Sequence, residues 1–452
     1  MAVGQPMLVR RRRSAPVPQA VVRPTRNALQ IWSVLVAFPA MVWTLLGVPV
    51  LEHVTLPTGV AEDADTTGSL VTLILLGLCV PIMWLRRGQI VRLAVAMWPL
   101  LLLCVFFAIS STWALDPATS MRRILRLLIT ISILISLAVG VGDYRKLHLT
   151  IAAAAVVVVL LDAADTVLMP GQAMMDDGLA ALHYTKNVAG LSLLYTSISI
   201  GFAWPLVRSR WTKACVTVVL LIGCGLLALT RSTTSQALVV VSIGLAPTIY
   251  MLSRLEDAPR RAIFAGVGIL LLVPLYLYYA TNMLTGNDPL AVLHGVTFTE
   301  RTDIWSFMLD EIAKRPVFGA GYGSFWQIDP AIQPSLKLGN WITTATINEG
   351  HDGYLDVIVS VGFAGFAMVM FVLGRTIWLA CVWVRRAVLA AGGKRTDGVV
   401  VAMFQLCFLI VFCIHNFSES SLFFNSTTFG TLFLLVLIQV EQANLRMKGV
   451  RI

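Results

Sequence analysis

A histidine among carboxylates is the residue of this sequence best suited to proton transfer. His351 lies in the segment NEGHDGYLDV, close to Glu349, Asp352 and Asp356. The ordinary pKa of a histidine is about 6.5, so the ring can accept a proton near neutral pH, and a neighbouring carboxylate can orient it. The pattern predicts a general base at His351. A purely structural histidine is the alternative interpretation.

An arginine at the start of a predicted helix indicates an anion site. Apolar residues at helical spacing predict an amphipathic helix over 301–313, and Arg301 begins it. The helix dipole disfavours a cation there, so the arginine is explained if an anion binds, and a guanidinium with free helix N–H groups suits a phosphate or diphosphate. The alternative is a surface arginine paired with Glu300 or Asp303.

Other catalytic motifs are absent from the sequence. There is no HExxH, GxSxG or GxxxxGK pattern, and the seven cysteines lie in or beside apolar runs without paired spacing in a loop. We therefore expect neither a metal nor a cofactor to carry the reaction. A cytosolic nucleotide is not expected either.

The elements that must position these residues are membrane helices. Of 452 residues, 57% are apolar and 13% charged, and the mean hydropathy is +0.81. Soluble domains carry about 25% charged residues. A transmembrane barrel or a lipid-anchored enzyme would need a different pattern or less apolar sequence. The composition predicts an all-α polytopic membrane protein with about 12 transmembrane helices.

The predicted spans divide the chain around one long loop. A basic tail (1–28) precedes nine spans (29–282), a 70-residue loop (283–352), three more spans (353–440) and a short tail (441–452). The first span is predicted to be retained rather than cleaved. The spans are placed at 29–50, 69–85, 93–110, 124–140, 147–168, 187–207, 213–230, 236–253, 262–282, 353–380, 400–416 and 422–440.

Basic residues set the predicted orientation. With both termini inside, inner segments hold 24 of the 34 Lys and Arg residues and outer segments hold nine. The long loop is then outside. The net charge of +10 mostly reflects the basic inner segments, which also attract anionic lipid headgroups. Nothing in the sequence supports a nucleic-acid partner.

Outer basic residues are rare and need a reason. Arg122, Arg123 and Arg126 either snorkel at the membrane interface or bind substrate, and Arg126 is the better candidate because it lies furthest into its span. Asp162 and Asp165 share one helical face. Two interpretations are open: either these carboxylates line a polar cavity, or the fifth span ends before them.

Five blocks of the sequence resemble one known superfamily. The chain is similar to the bacterial O-antigen ligases and polysaccharide polymerases over about residues 105–430, and most similar to the succinoglycan-type exopolysaccharide polymerases. The blocks that begin at Arg301 and His351 are the specific ones. The blocks are STWALDP (Ser111 to Pro117), HYTKNVAG (His183 to Gly190), RTDIWSFMLDEIAKRPVFGAGYGSFW (Arg301 to Trp326), HDGYLDVIVSVGFAG (His351 to Gly365) and HNFSESSL (His415 to Leu422).

Two positions depart from the pattern of the superfamily. Its histidine-asparagine pair is His351-Asp352 here, which keeps the histidine and changes its neighbour. Where such polymerases often have a lysine in an SKT segment, this chain reads TRSTTSQ, so Arg231 is the candidate to supply the charge.

The resemblance implies metal-independent, inverting transfer of an oligosaccharide from undecaprenyl diphosphate to a sugar hydroxyl, on the periplasmic side of the bacterial inner membrane. His351 and Arg301 are the implied catalytic residues. The implied diphosphate- or substrate-binding residues are Arg122, Arg126, Lys186, Asn187, Arg231, Tyr322, Asp352 and Glu419. The expected partners are the lipid-linked donor, an acceptor glycan, membrane lipids and, as a further candidate, a chain-length regulator.

Three functions remain open from the sequence. The block from Arg301 to Trp326 favours an exopolysaccharide polymerase over a ligase that attaches O-antigen to lipid A core. A twelve-span secondary transporter is the third hypothesis, but such transporters carry internal repeats and none is evident.

Overall fold

The computed structural model describes residues 24–47, 66–259, 301–338, 349–423 and 428–452, with isolated positions at 49, 262, 277, 281 and 347. Nearly all of the regular structure in these residues is α-helical. The predicted all-α, polytopic membrane class is therefore confirmed.

The helices follow one another with short connections, except around the long loop. Their bounds are α1 Pro24–Leu46, α2 Thr66–Ala96, α3 Trp98–Ser110, α4 Pro117–Val141, α5 Tyr144–Leu168, α6 Pro170–Ala173, α7 Lys186–Ala203, α8 Arg210–Leu229, α9 Thr233–Arg254, α10 Arg301–Lys314, α11 Gly353–Ala390, α12 Asp397–His415 and α13 Thr428–Met447. Single 3₁₀ turns cover Trp204–Leu206 and Pro334–Lys337.

Nine helices of the described ranges are long and apolar enough to cross a membrane, namely α1, α2, α4, α5, α7, α8, α9, α11 and α12. The third predicted span corresponds to α3, which has 13 residues, and the twelfth to α13, which has 20. The ninth predicted span, 262–282, lies outside the described residues apart from isolated positions.

One predicted loop is helical. The second span was expected to end at residue 85, with Arg86, Arg87 and Arg92 in or next to a loop, but α2 runs unbroken to Ala96. The stretch contains no proline, its one glycine, Gly88, is tolerated inside the helix, and a continuing helix satisfies its own backbone groups. The helix ends at Ala96, Met97 forms the turn, and Pro99 is the second residue of α3.

A break in α11 is closed by the glycine-rich segment that follows α10. Gly362 has φ 65° and ψ −177°, which interrupts the helical hydrogen bonds. The segment 316–323 replaces them: the N–H of Phe363 donates to the carbonyl of Pro316 at 2.8 Å. A Cβ on Gly362 would lie 2.2 Å from the carbonyl oxygen of Val317, so only glycine allows this approach. The loop is thereby attached to the spanning bundle.

The predicted amphipathic helix is confirmed as α10. The apolar stripe predicted for this helix was Trp305, Met308, Leu309 and Ile312. The buried residues are Ile304, Phe307, Met308 and Ile312, whereas Trp305 is half-buried and Leu309 is 55% exposed. The buried residues pack with aromatic side chains of the loop that follows and with α11. This packing fixes the start of α10, where Arg301 lies.

A small hairpin was not predicted. Met174–Met175 and Gly178–Leu179 pair in antiparallel fashion between α6 and α7. A Cβ on Gly178 would lie 2.3 Å from the carbonyl oxygen of Thr230, so the hairpin packs closely on the end of α8. It brings the segment before α7 next to the turn between α8 and α9.

Candidate active site

Glu419 lies where three distant segments of the chain meet. Its Oε1 accepts a hydrogen bond from Arg301 Nη2 at 3.0 Å, and its Oε2 lies 3.1 Å from His351 Nδ1. The side chains are only 19% exposed at Arg301 and 14% at Glu419. The structure thus brings both predicted catalytic residues to one predicted substrate-binding carboxylate.

The ring of His351 is oriented by two carboxylates. Nδ1 lies 3.1 Å from Glu419 and 3.3 Å from Glu349. Since both acceptors meet Nδ1, a neutral ring keeps its proton on that nitrogen and its lone pair on Nε2. Nε2 is on the opposite edge of a ring that is 31% exposed. The exposure of the side chain leaves room for a substrate hydroxyl to approach the ring.

The backbone at His351 is held in an unusual conformation. Its φ is 50°, in the left-handed region that non-glycine residues seldom adopt. The next residue, Asp352, caps α11 by accepting hydrogen bonds from the N–H groups of Tyr354 and Leu355 at 2.9 and 3.0 Å. Asp352 therefore fixes the helix start beside His351, and its predicted contact with substrate stays a prediction.

Arg301 uses both ends of its guanidinium. Nη1 donates to the carbonyl of Ser418 at 2.6 Å while Nη2 donates to Glu419. The alternative of a surface arginine paired with Glu300 or Asp303 does not account for this contact, although Glu300 lies outside the described residues. The fork is thus preorganised at the first described residue of α10.

The charges in this cluster shift one another's pKa values. Burial alone would lower the pKa of His351, but hydrogen bonds and charges from Glu349 and Glu419 outweigh it and raise the pKa to about 10. Burial raises the pKa of Glu349 to about 7. For Glu419 burial acts in the same direction, but His351 and Arg301 lower its pKa to about 2. The two carboxylates thus favour the protonated form of His351.

The KN segment adds one direct contact. Asn187 Nδ2 donates to Glu419 Oε1 at 3.4 Å. Lys186 pairs with Asp177 of the hairpin at 3.0 Å. Arg231 is exposed, follows α8 and has φ 55°. The structure thus joins Asn187 to the site, whereas the predicted substrate contacts of Lys186 and Arg231 stay predictions.

The three arginines of α4 have different surroundings. Arg123 is buried and donates to the carbonyls of Gly323, Trp326 and Gln327, with distances of 2.9 and 3.0 Å to the last two. It therefore holds the long loop. Arg122 Nη2 donates to the hydroxyl of Thr119 at 2.7 Å on the exposed side. Snorkelling does not describe Arg123.

Arg126 and Tyr322 line a small cavity between α4 and α13. Arg126 Nη2 lies 3.4 Å from Ser69 Oγ. Tyr322 is buried, donates its hydroxyl proton to the carbonyl of Phe423 at 2.6 Å, and stacks on Phe107 with ring centroids 4.1 Å apart. The phenol thus fixes the segment that follows Glu419, and the predicted binding roles of Arg126 and Tyr322 stay predictions.

Two features were missed or misread in the sequence. Glu349 was noted only as a neighbour of His351, although a carboxylate two residues away is a usable signal.

Asp162 is fully buried, and its Oδ2 lies 3.1 Å from His183 Nε2. Because α5 continues to Leu168, the interpretation that the span ends before Asp162 is wrong. The separation of 21 residues hid this pair.

One group of the described residues has the donor atoms for a metal ion. Single atoms of Glu349, His351 and Glu419 lie within 4.8 Å of one another. The guanidinium of Arg301, 3.0 Å from Glu419, occupies one carboxylate oxygen and adds a positive charge. That charge disfavours a cation at this position.

Comparison with known proteins agrees with the motifs. No curated protein matches the chain. Residues 217–370 match the family model described as O-antigen ligase. The match includes Arg231, Arg301 and His351 and ends before Glu419. The match agrees with the superfamily predicted from the motifs: residues 217–370 of this multi-pass membrane protein are similar to the O-antigen ligase family.

Proposed function

We propose that the protein polymerises undecaprenyl-diphosphate-linked oligosaccharide repeat units into an exopolysaccharide at the periplasmic face of the inner membrane. The observation that carries the proposal is the carboxylate of Glu419, which holds the guanidinium of Arg301 on one oxygen and the imidazole of His351 on the other. A group for the leaving diphosphate and a group for the proton are thus held side by side.

Arg301 is proposed to bind the diphosphate. A forked guanidinium binds two phosphate oxygens at once, and the first N–H groups of α10 add further donors. As the bond between the anomeric carbon and the phosphate oxygen breaks, negative charge grows on that oxygen, and a fixed cation stabilises it. Arg301 can carry out this role without a metal.

His351 is proposed to accept the proton of the acceptor hydroxyl. The hydroxyl oxygen attacks the anomeric carbon, its proton passes to Nε2, and undecaprenyl diphosphate leaves with the electron pair of the broken bond. Attack opposite the leaving group inverts the anomeric configuration. Glu419 keeps the remaining ring proton on Nδ1 and stabilises the imidazolium that forms.

The raised pKa of His351 adds a condition. A ring that carries both protons cannot act as a base, so one proton has to leave before the reaction. Glu349, whose pKa is raised to about 7, can hold it. The active state then has a protonated Glu349 and a neutral His351. Exchange of protons with water converts the resting protein into this state.

The second candidate function is ligation of a finished glycan to lipid A core. The description of the matched family model, O-antigen ligase, favours it. Both reactions use the same donor and leaving group, so the residues at Glu419 serve either one. The acceptor distinguishes them.

The test is glycan transfer by the purified protein in lipid nanodiscs. The donor is an undecaprenyl-diphosphate-linked repeat unit, and the products are separated by gel electrophoresis, with and without lipid A core. We expect a ladder of polymers from the donor alone, unchanged by a metal chelator. A single transfer that requires lipid A core would identify the ligase instead, and no transfer to either acceptor would contradict both.

A further inference from the structure

A buried carboxylate lies behind the proposed site and has no role in the mechanism above. Asp356 is inaccessible to solvent in the first turn of α11. It accepts three hydrogen bonds: Oδ1 from Trp326 Nε1 at 2.6 Å, and Oδ2 from the backbone N–H of Gly350 at 2.9 Å and from the hydroxyl of Ser420.

The donors on Oδ2 are the sequence neighbours of the proposed catalytic pair. Gly350 directly precedes His351, and Ser420 directly follows Glu419. Asp356 Oδ2 therefore links the segment that precedes α11 to the segment that follows α12. We propose that Asp356 is the positioning residue that sets the distance between His351 and Glu419.

Other contacts of Gly350 indicate that this point of the chain is held on every side. Its carbonyl accepts a hydrogen bond from Trp305 Nε1 of α10 at 2.9 Å. A Cβ on Gly350 would lie 2.4 Å from the sulfur of Met308 and 2.9 Å from Asp356 Oδ1. The left-handed backbone of His351 persists only if its flanks are fixed in this way.

The chemistry requires a carboxylate here. An ionised Asp356 is an acceptor at both oxygens and serves three donors. An asparagine has nearly the same shape but only one oxygen, so in either amide orientation its nitrogen faces an N–H donor, that of Trp326 or that of Gly350. Asp356→Asn should thus keep the packing and disrupt the set of three hydrogen bonds that joins Gly350 to Ser420.

The kinetic test rests on the proposed function and uses purified protein in nanodiscs with the lipid-linked donor. We expect Asp356→Asn to lower kcat about 100-fold, because a displacement of about 1 Å can have that effect, while the donor KM stays close to that of the wild type. Ser420→Ala removes one donor and should lower kcat less. The control is Glu441→Gln, which removes a similarly buried carboxylate that binds Arg375 and Asn444.

A second readout needs no substrate, so it separates this proposal from the proposed function. With ¹³C-labelled histidine, the His351 signal is assigned by its loss in His351→Gln and titrated in each variant. Loss of the Asp356 charge lowers the pKa of His351 by itself, because the two groups interact through their charges. The uncharged change Ser420→Ala is therefore the deciding variant for the titration: if the link through Asp356 sets the distance between His351 and Glu419, the raised pKa of His351 falls toward its ordinary value of about 6.5 in Ser420→Ala.

The outcomes are distinct. A lower kcat in both variants, with a lower His351 pKa in Ser420→Ala, supports the proposal. Wild-type kcat in Asp356→Asn overturns it, as does lost activity with an unchanged His351 pKa, which would assign Asp356 to general stability. If Asp356→Asn does not assemble, Ser420→Ala decides by the same two measurements. If the wild-type protein transfers no glycan, the proposed function fails. The titration of His351 alone then decides whether Asp356 positions His351 and Glu419.

Discussion

The imidazole of His351 and the carboxylate of Glu419 lie 3.1 Å apart although 68 residues separate them in the chain. The contact fixes which ring nitrogen holds a proton and leaves Nε2 for the substrate. The same carboxylate binds Arg301, so a change at any one of the three residues should affect the other two.

We expect His351→Ala to abolish polymer formation while the amount of protein in the membrane stays normal. General-base catalysis contributes about 100- to 10,000-fold to a rate, and a ring that is 31% exposed contributes little to packing. The measurement is polymer formed per amount of membrane-inserted protein. Near-normal polymer from this variant would make His351 a structural residue.

For Arg301 we expect the lysine variant to lose most activity and the alanine variant nearly all of it. A lysine cannot reproduce the forked contact, and charge-assisted hydrogen bonds contribute about 1.5 to 3 kcal/mol each, so losing one slows turnover by about one to two orders of magnitude. Lipid-linked repeat units should accumulate in both. Lys314→Ala, at the exposed far end of α10, is the matched control. Wild-type turnover by Arg301→Ala would remove this residue from the site.

The pH dependence follows from Glu349. At low pH both Glu349 and His351 are protonated and no group can accept the hydroxyl proton, so kcat/KM should rise with pH through about 7, the pKa of Glu349. In Glu349→Gln one of the two carboxylates that raise the pKa of His351 is gone. The His351 signal in ¹³C NMR should then titrate below the wild-type value of about 10. An unchanged titration would mean that Glu349 does not act on the ring.

The predicted orientation places the long loop in the periplasm. A cysteine at Lys337, in this loop, should react with a membrane-impermeant reagent in intact cells, once the native cysteines are replaced. A cysteine at Lys394, between α11 and α12, should react only after the inner face is opened. Labelling of Lys394→Cys alone in intact cells would reverse the topology and the side of the site.

The sequence predicted much of this arrangement because membrane helices are encoded locally. The length of the apolar segments predicted the membrane class, and the helical spacing of apolar residues predicted the bounds of α10 to within one residue. Bounds were less accurate where no proline marked the end of a helix, as at Arg86 in α2. The break at Gly362 depends on hydrogen bonds from residue 316 and its neighbours, which no local pattern contains.

The site was predictable in its parts and not in its connections. His351 and Arg301 were identified by residue type and position, and Glu419 came from the resemblance alone. Asp356 appeared in the sequence as one more acidic neighbour of His351, whereas its three donors come from segments far apart in the chain. The same reason hid the buried pair of Asp162 and His183.

The most direct test of the account is a double-mutant cycle on Glu419 and His351 in purified protein with the lipid-linked donor. We predict that Glu419→Gln lowers kcat by about 100-fold or more, because the ring of His351 loses the nearer of its two orienting carboxylates and Arg301 loses its ionised partner. Adding His351→Gln should slow the enzyme no further than the slower single variant, since residues that act as a unit are not additive. Wild-type kcat in Glu419→Gln, or two effects that multiply, would contradict the account.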